Sequence, residues 1–346
     1  MFSRADADQL RESLAAIKFP ATFADPASVE SGVDTSVRNL VRAYREHYGL
    51  DFDTPSTTVA HTLGIVESGP YKIVCQYFVA CAAEAPSVNS PANPSTSRGT
   101  VFLLHGYFDH GGIYGHLIRH CLQLGFAVVI FDFPGHGLSS GAVASIGSFR
   151  EYNQVFFDCL LAAQQQSVAG PWTVIGQSTG GAIIIDSLLD DNRLDSFSIR
   201  QYLLLNPLLR PSHWGRGKLL FALSRWFFVD TKRQFSNNSH DREFLRFLQQ
   251  EDNLQSKFLS RRWILAMIDY QRRFAKAAGS DKKLSIIQGT DDGTVDWHYN
   301  LPKIMEKFPA SKSYQLKDAR HHLVNESAEY RDKAFSLISQ IVDQPG

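Results

Sequence analysis

The stretch Trp172-Thr-Val-Ile-Gly-Gln-Ser178-Thr-Gly-Gly-Ala-Ile-Ile-Ile-Asp186 decides how this sequence folds. Its first four residues form the short apolar run typical of a strand buried on both faces. A longer apolar run with helical character follows Ser178 directly. Between the two runs lies Gly-x-Ser-x-Gly, whose glycines lack a Cβ and let a strand and a helix approach closely. The stretch therefore predicts a strand–turn–helix unit that presents Ser178 at the turn as a nucleophile.

A second Gly-x-Ser-x-Gly occurs at Gly137-Leu-Ser139-Ser-Gly141. The pattern is short, and chance alone gives about 0.1 matches in a chain of this length. This match is followed by Ala-Val-Ala-Ser-Ile-Gly, which is no clear helix. We therefore predict that Ser139 is a loop residue and that Ser178 is the nucleophile.

Strand-like and helix-like runs alternate on both sides of the opening stretch. A hairpin is predicted at 61–66 and 71–79, and further strands at 100–104, 127–131, 172–175, 202–205, 284–287 and 313–316. Helices are predicted at 113–124, 149–166, 179–190, 297–308 and 326–342. This alternation indicates an α/β protein with a mostly parallel sheet and helices on both of its faces.

The alternation of strands and helices is interrupted once, between the sixth and seventh predicted strands. That interval has no strand pattern, but apolar residues recur in it at helical spacing, at Leu219, Leu220, Leu223, Trp226, Phe227, Phe244, Phe247 and Leu248. We interpret it as a helical cap inserted after the sixth strand. The predicted division is an N-terminal helical extension (1–55, with a helix near Ser36–His47), a first core part (56–206), the cap (207–280) and a second core part (281–346).

Composition excludes several classes of protein. Of 346 residues, 44% are apolar and 20% charged, and 35 Lys and Arg balance 35 Asp and Glu, so neither disorder nor a nucleic acid partner is favoured. Four cysteines lie apart without metal-site spacing and are interpreted as small buried hydrophobes in a reducing compartment. No signal peptide pattern and no spanning apolar run occur. We expect a cytoplasmic protein without a metal.

A serine nucleophile needs a base, which an acid holds in turn, and in this type of fold they follow in the order Ser, Asp or Glu, His. The predicted strand 284–287 ends at Gly289, and Asp292 stands in the turn after it. Asp292 is the preferred acid and Asp291 the second choice. Asp296 is expected to cap the helix that begins near Trp297.

The base and the oxyanion donors lie at two further strand ends. After the last predicted strand come His321 and His322, and residue patterns alone leave open which of the two is the base. Leu104-His105-Gly106-Tyr107 closes the first buried strand. The backbone N–H groups of Tyr107 and Thr179 are the predicted oxyanion donors, and His105 is expected to be a structural hydrogen-bonding residue.

Three motifs together carry a resemblance to a known family: His105-Gly-Tyr-Phe-Asp-His-Gly-Gly-Ile-Tyr114, Phe131-Asp-Phe-Pro-Gly-His-Gly-Leu-Ser-Ser-Gly141 and Gly176-Gln-Ser-Thr-Gly180. From about residue 99 to the C-terminus, the chain resembles the monoglyceride lipase and lysophospholipase group of α/β-hydrolases, also described as serine aminopeptidases. The likeness is weakest in the cap.

The resemblance implies the α/β-hydrolase fold and assigns roles within it. It selects His321 as the base, because Ala319 and Arg320 precede it as in the group, although His322 stands where the group usually has an acidic residue. It also implies Asp292 as the acid and Tyr107 and Thr179 as donors. Ester hydrolysis through an acyl-enzyme is then expected, without cofactor or metal.

The expected substrates are monoacylglycerols, lysophospholipids or similar small acyl esters. Three cap aromatics, Trp214, Trp226 and Phe227, are predicted to contact them. The apolar cap stripe can also pack on the core or rest transiently on a lipid surface. Acyl transfer, amide or peptide hydrolysis, and ligand binding without catalysis are the alternatives.

Overall fold

The computed structural model describes residues 2–22, 34–82, 97–190, 192–215, 231–233 and 235–344. Its helices are α1 (Arg4–Leu14), α2 (Thr35–Tyr48), α3 (Gly115–Gln123), α4 (Phe149–Gln165), α5 (Thr179–Asp190), α6 (Arg242–Gln250), α7 (Arg261–Lys276), α8 (Trp297–Lys307) and α9 (Ala328–Val342). Its strands are β1 (Ala21–Thr22), β2 (Thr57–Ser68), β3 (Tyr71–Ala82), β4 (Thr100–Leu104), β5 (Ala127–Phe131), β6 (Trp172–Gln177), β7 (Ile199–Leu205), β8 (Thr231–Lys232), β9 (Phe258–Leu259), β10 (Leu284–Gly289) and β11 (Lys312–Leu316).

The main sheet has the strand order β1-β2-β3-β5-β4-β6-β7-β10-β11. The first strands pair antiparallel, up to and including the β3–β5 pair. From β5 onward all neighbours run parallel. Consequently β4, β6, β10 and β11 end at one edge of the sheet, which is where open α/β sheets place their ligands.

Side chains of the buried strands alternate between two cores, one on each face of the sheet. In β4, Phe102 and Leu104 join a core with residues of α4, α5, α7 and α8. Val101 and Leu103 join the opposite core with residues of α1, α2, α3 and α9. Because both faces are covered by helices, the central strands are apolar at successive positions, which explains their continuous runs in the sequence.

This architecture confirms the predicted mostly parallel sheet flanked by helices, and each of the eight predicted strands is present. Helix α1 and three two-residue strands were not predicted. Helix α1 begins with a capping box between Ser3 and Asp6, but the charges scattered through it obscured an apolar face of three buried residues. The three strands are β1, which pairs with β2, and the antiparallel pair β8–β9, and each is too short to show alternation. Cys81, unlike the other cysteines, is only half-buried.

The proposed division into four parts stays a prediction. The chain between β7 and β10 contains α6 and α7, whereas the stripe from Leu219 to Phe227 lies outside the described residues. At the other end, α2 packs tightly on the core. Tyr44 is fully buried, and its hydroxyl oxygen accepts a hydrogen bond of 3.1 Å from Nε2 of Gln76 in β3.

A buried ion pair joins three segments of the chain. Nε2 of His110, in the loop after β4, lies 3.1 Å from Oδ2 of Asp252, which follows α6. Tyr48, at the end of α2, donates a hydrogen bond of 2.9 Å to Oδ1 of the same carboxylate. Burial lowers the pKa of His110, but Asp252, Asp132 and Asp109 outweigh it and leave that pKa above 6.5. His110 lowers the pKa of Asp252 below 3.8, against the effect of burial.

These opposite pKa shifts predict when the pair stabilises the fold. The raised pKa of His110 contributes stability below pH 6.5 that is lost as pH rises through the folded value. The lowered pKa of Asp252 contributes stability that is lost as pH falls below 3.8. We expect Asp252→Asn to lower the free energy of unfolding by about 3–5 kcal/mol near pH 5.5, and by less near pH 8.5.

Urea unfolding of both proteins at the two pH values measures this difference. Asp343→Asn is the matched control, because Asp343 pairs with Arg98 at the surface, with both side chains about half exposed. That change should cost under about 1 kcal/mol at either pH. A cost for Asp252→Asn that did not depend on pH would contradict the buried ion pair.

Candidate active site

Ser178 stands on a sharp turn between β6 and α5. Its φ angle is +53°, in the left-handed region that non-glycine residues seldom adopt. A Cβ at Gly176 would lie 2.5 Å from the carbonyl carbon of Gly180, and one at Gly180 would lie 2.1 Å from the carbonyl oxygen of Leu104. Only glycine fits at these two positions, so the motif allows the close strand–helix approach that exposes Ser178 at the sheet edge.

Two other predicted residues reach Ser178 from neighbouring strand ends. Nε2 of His321, after β11, lies 3.0 Å from Oγ of Ser178. Nδ1 of the same ring lies 2.7 Å from Oδ2 of Asp292, after β10. Because a carboxylate only accepts hydrogen bonds, Nδ1 carries the proton in the neutral ring and Nε2 accepts from the serine hydroxyl. All three side chains are buried.

Backbone and side-chain hydrogen bonds hold the acid and the base in place. Oδ1 of Asp292 accepts from the backbone N–H of Thr294 at 2.8 Å and of Val295 at 3.1 Å. The backbone carbonyl of His321 accepts from Nδ2 of Asn206 at 2.7 Å and from Nε2 of Gln177 at 2.9 Å. The carboxylate and the histidine loop therefore have fixed orientations before any ligand binds.

Sequence reasoning missed the contributions of Asn206 and Gln177. Asn206 also accepts a hydrogen bond from the backbone N–H of Gly289, at 2.7 Å, and so ties the ends of β7, β10 and β11 together. Its φ of +46° is left-handed, a conformation in which asparagine is enriched. An asparagine directly after a buried strand was the available signal.

The residues that the patterns left as alternatives lie elsewhere. Asp291 is exposed and pairs with Arg320, Nε to Oδ2, at 3.1 Å. Nε2 of His322 lies 3.2 Å from Oδ2 of Asp109. Asp296 caps α8 by accepting from the backbone N–H of Tyr299, as predicted. The structure thus brings Asp292 and His321 to Ser178, and neither Asp291 nor His322.

Ser139 is a buried loop residue whose hydroxyl is hydrogen-bonded to two backbone groups. Its Oγ donates a hydrogen bond of 2.7 Å to the carbonyl of Asp132 and accepts one of 2.8 Å from the backbone N–H of Val74. The hydroxyl therefore ties the loop after β5 to β3. Neither partner of this hydroxyl is a histidine.

The loop after β4 carries the predicted oxyanion donor Tyr107. The Tyr107 ring stacks on that of Trp263 from α7, with centroids 3.9 Å apart, and its hydroxyl donates to the carbonyl of Ala144 at 2.7 Å. Phe108 follows with a φ of +72°. Thr179 begins α5, so its N–H is among the first four of the helix, which have no acceptor within it. Both residues line the cavity at Ser178.

His105 has the structural role predicted for it. Its Nε2 accepts a hydrogen bond of 2.9 Å from the backbone N–H of Phe133, and its Nδ1 lies 2.7 Å from the carbonyl oxygen of Gly106. Burial lowers the pKa of His105 to about 3. The ring is therefore neutral at physiological pH and joins the loops after β4 and β5.

A cavity of about 520 Å³ opens at Ser178. Its apolar lining comes from Leu208, Pro211, Trp214, Leu259, Trp263, Ile264 and Val295. Trp214 thus lies on the cavity wall, and its indole Nε1 donates to Oε1 of Gln271 at 2.6 Å. Trp226 and Phe227, the other two predicted substrate contacts, lie outside the described residues.

The described residues contain neither a candidate metal-binding cluster nor a candidate membrane-spanning helix. No group of three or more His, Cys, Asp or Glu side chains there is arranged to hold a metal ion. In the same part of the chain, no helix combines the length and the apolar character needed to cross a bilayer.

The sequence of this chain matches a known family. The sequence model of the serine aminopeptidase S33 family matches residues 95–328, which is more than half of the chain. The chain belongs to this family. It is thereby a member of a serine hydrolase family with the α/β-hydrolase fold.

Known relatives within this wider group include monoglyceride lipases. The chain is 33% identical over 87 residues to a monoacylglycerol lipase of Mycolicibacterium smegmatis, which is 25% of this chain and 31% of the relative. It is 30% identical over 90 residues to the monoglyceride lipase of Homo sapiens, covering 26% of this chain and 30% of that protein. The chain therefore spans about a third of the length of these curated relatives.

Solved structures with a similar fold match most of this chain. A soluble variant of monoglyceride lipase from Saccharomyces cerevisiae, in complex with a substrate analogue, matches with a TM-score of 0.66 at 18% identity, over 85% of this chain and 97% of that one. A thermostable carboxyl esterase from Bacillus coagulans, in complex with glycerol, matches with a TM-score of 0.61 at 14% identity, over 82% and 98%. At these identities the likeness shows the shared fold.

Proposed function

We propose that this protein is a carboxylic-ester hydrolase with Ser178 as nucleophile, His321 as base and Asp292 as acid. The observation that carries the proposal is the unbroken chain of hydrogen bonds from Asp292 through His321 to Ser178, with distances of 2.7 and 3.0 Å. It ends at a cavity with a large apolar wall. A nucleophile, a base and an orienting acid within hydrogen-bond reach are the arrangement required for acyl transfer to a serine.

The first half of the reaction forms an acyl-enzyme. Oγ of Ser178 attacks the ester carbonyl carbon while Nε2 of His321 takes the serine proton. The carbonyl oxygen becomes an oxyanion, which accepts hydrogen bonds from the backbone N–H groups of Tyr107 and Thr179. Asp292 stabilises the imidazolium through Nδ1–H. His321 then donates its Nε2 proton to the leaving alcohol as the carbon–oxygen bond breaks.

The second half releases the acid. A water molecule gives a proton to Nε2 of His321 and attacks the acyl carbonyl carbon, and the same two N–H groups hold the second oxyanion. When the intermediate collapses, the bond to Ser178 breaks and Oγ regains its proton from His321. The two halves of the reaction together consume one water and need no cofactor.

The substrates that we propose are monoacylglycerols, lysophospholipids or similar acyl esters. The apolar wall suits an acyl chain, since each methylene that it removes from water contributes about 0.8 kcal/mol. Several similar proteins are named for monoacylglycerol hydrolysis, which supports the same choice here. The family description names aminopeptidases, so amide hydrolysis by the same residues is the second candidate, and acyl transfer to an alcohol is the third.

A panel of substrates tests this proposal. We expect turnover of p-nitrophenyl esters, monoacylglycerols and lysophospholipids, with free fatty acid as the product, and little turnover of aminoacyl p-nitroanilides. Product analysis in the presence of added glycerol separates hydrolysis from acyl transfer. Failure to hydrolyse any ester, together with no labelling by a fluorophosphonate probe, would favour a ligand-binding protein on a hydrolase scaffold.

Trp214 provides a test of the acyl-chain wall. We expect kcat/KM of the parent protein to rise with acyl length from C2 until the cavity is filled, by up to about 0.8 kcal/mol per methylene. Trp214→Ala should flatten this rise and leave acetate esters largely unaffected. The measurement is kcat/KM across C2 to C16 esters.

Trp297→Ala is the matched control for this substitution. Trp297 is a tryptophan of similar partial burial in α8, stacked on His298 and outside the cavity lining. The control should keep the chain-length profile of the parent. Equal losses at every length in Trp214→Ala would show that Trp214 is structural only.

Two further predictions of the sequence stay proposals. We propose a cytoplasmic location, which four free cysteines support. We also propose that the cap rests transiently on a lipid surface, for which the support is the sequence pattern of its apolar stripe alone.

A further inference from the structure

The cavity at Ser178 has a polar side as well as its apolar wall. Four side chains on this side carry charges or strong hydrogen-bonding groups, namely Asp109, Arg233, Asn238 and His322. We call these four residues the polar wall. An acyl chain gains nothing from contact with them, because burying polar groups without partners costs free energy.

Arg233 supplies a positive charge on the polar wall. Its guanidinium carbon lies 4.2 Å from the centre of the Phe108 ring and 4.5 Å from that of Phe235. Nη1 donates a hydrogen bond of 2.5 Å to Oε1 of Gln255. Among the described residues, no carboxylate lies within ion-pair distance of this guanidinium. Since a guanidinium has five N–H donors, it retains donors for a ligand.

Arg233 contacts the loop that carries one of the proposed oxyanion donors. Phe108, on which the guanidinium stacks, directly follows Tyr107, the proposed oxyanion donor. Burial lowers the pKa of Arg233 to about 10, while the charges of Asp109 and Asp252 oppose that change. The side chain is therefore still a cation at neutral pH. A ligand whose ester lies at Ser178 can reach it within the same cavity.

Two buried polar atoms on the same wall lack partners. Oδ1 of Asn238 and Nδ1 of His322 have no hydrogen-bond partner among the described residues. Buried polar atoms are usually hydrogen-bonded in native proteins, so unpaired ones at a cavity indicate a ligand. The amide Oδ1 only accepts hydrogen bonds, and because Nε2 of His322 faces the Asp109 carboxylate, Nδ1 of the neutral ring is an acceptor too. Both atoms therefore suit hydroxyl donors of a ligand. Asp109 is different, because its Oδ2 already accepts from the backbone N–H of Gly106 and the hydroxyl of Tyr114.

We propose that Asn238 and His322 accept hydrogen bonds from hydroxyls on the alcohol part of the substrate and that Arg233 binds an anionic oxygen group on it. The group is a phosphate or a carboxylate, and Arg233 determines the preference for it over a neutral head group. A guanidinium forms strong, charge-assisted hydrogen bonds with either anion. The inference rests on the proposed ester hydrolysis and names the head group that this reaction accepts.

Three substrates with one acyl chain test the inference: 1-octanoylglycerol, its 3-phosphate and its 3-hemisuccinate. We expect Arg233→Gln to lower kcat/KM for an anionic substrate about 10- to 100-fold. For neutral 1-octanoylglycerol the change should stay within about threefold, and Arg233→Lys should restore most of the loss. Lys232→Gln is the matched control, since it removes the same charge from an adjacent exposed position. It should leave kcat/KM unchanged for all three substrates.

Each outcome decides the inference. A selective loss on the phosphate, on the hemisuccinate or on both supports it and identifies the anion. Equal losses on all three substrates, or no loss on any, overturn it. If no octanoyl ester is hydrolysed, the proposed function fails, and titration calorimetry with octyl phosphate then decides the anion site alone. The site would be supported if Arg233→Gln bound octyl phosphate at least tenfold more weakly than the parent protein while Lys232→Gln bound it equally well. Equal affinity of the parent and both variants for octyl phosphate would refute it.

Discussion

Ser178→Ala is expected to lower kcat for acyl esters by about 10⁵- to 10⁶-fold and to abolish covalent labelling by a fluorophosphonate. The substitution removes the only atom that can form the acyl-enzyme, and the oxyanion donors alone leave a small residual rate. It keeps the Cβ, so the strained turn and its contacts are preserved. Turnover of a p-nitrophenyl ester and the intact mass of the labelled protein measure the two effects.

Ser139→Ala is the matched control, because Ser139 lies in the second copy of the same motif. We expect it to keep kcat within a few-fold and to keep full labelling. Its effect should fall on stability instead, since the carbonyl of Asp132 and the backbone N–H of Val74 lose a buried partner. The expected cost is about 1–3 kcal/mol. An inactive, unlabelled Ser139→Ala beside an active Ser178→Ala would reverse the assignment of the nucleophile.

Most of the sheet could be predicted from sequence because burial on both faces leaves a simple signal. Strands β4, β5 and β6 are each fully buried along their length, so their sequences are apolar without interruption. The elements that were missed give weaker signals. Helix α1 buries only Ala7, Leu10 and Leu14, and β8 and β9 have two residues each.

Residue patterns placed the site more reliably than they placed its individual side chains. The order of motifs along the chain determines which strand ends meet, since carboxyl ends of parallel strands lie at one edge. Which of two adjacent histidines faces Ser178 depends instead on the path of one loop. That path depends on Asn206 and Gln177, which bind the His321 carbonyl from β7 and β6. Such long-range contacts leave no local pattern.

The same reasoning explains why the polar wall could not be predicted. Asp109, Arg233 and His322 come from three distant segments, and each alone is an ordinary loop residue in the sequence. Only the fold brings them to one cavity. His322 stands where the monoglyceride lipase and lysophospholipase group usually has an acidic residue. In the structure this histidine lies on the cavity wall, with its Nε2 3.2 Å from Oδ2 of Asp109.

His321→Ala is expected to lower kcat by about 10⁴- to 10⁶-fold, and Asp292→Asn by about 10⁴-fold. Without the imidazole, Oγ loses the hydrogen-bond partner that accepts the serine proton. Asparagine at 292 keeps the shape but lacks the charge that stabilises the imidazolium, and its amide favours the wrong ring tautomer. Turnover of a neutral p-nitrophenyl ester is the measurement, because it avoids any effect on head-group binding.

The neighbouring residues are the matched controls for both substitutions. His322→Gln should keep kcat within about tenfold, because its ring lies against Asp109 and not against Ser178. Asp291→Asn should be nearly silent, since its carboxylate is exposed and pairs with Arg320. The double variant Ser178→Ala/His321→Ala should be no slower than either single one, because residues that act as a unit do not lose activity additively. Added imidazole should restore part of the activity of His321→Ala, which retains its serine, but none to Ser178→Ala. If His322→Gln were the inactive protein, or if the losses of the double variant added, Ser178 and His321 could not be acting together and the proposed mechanism would be wrong.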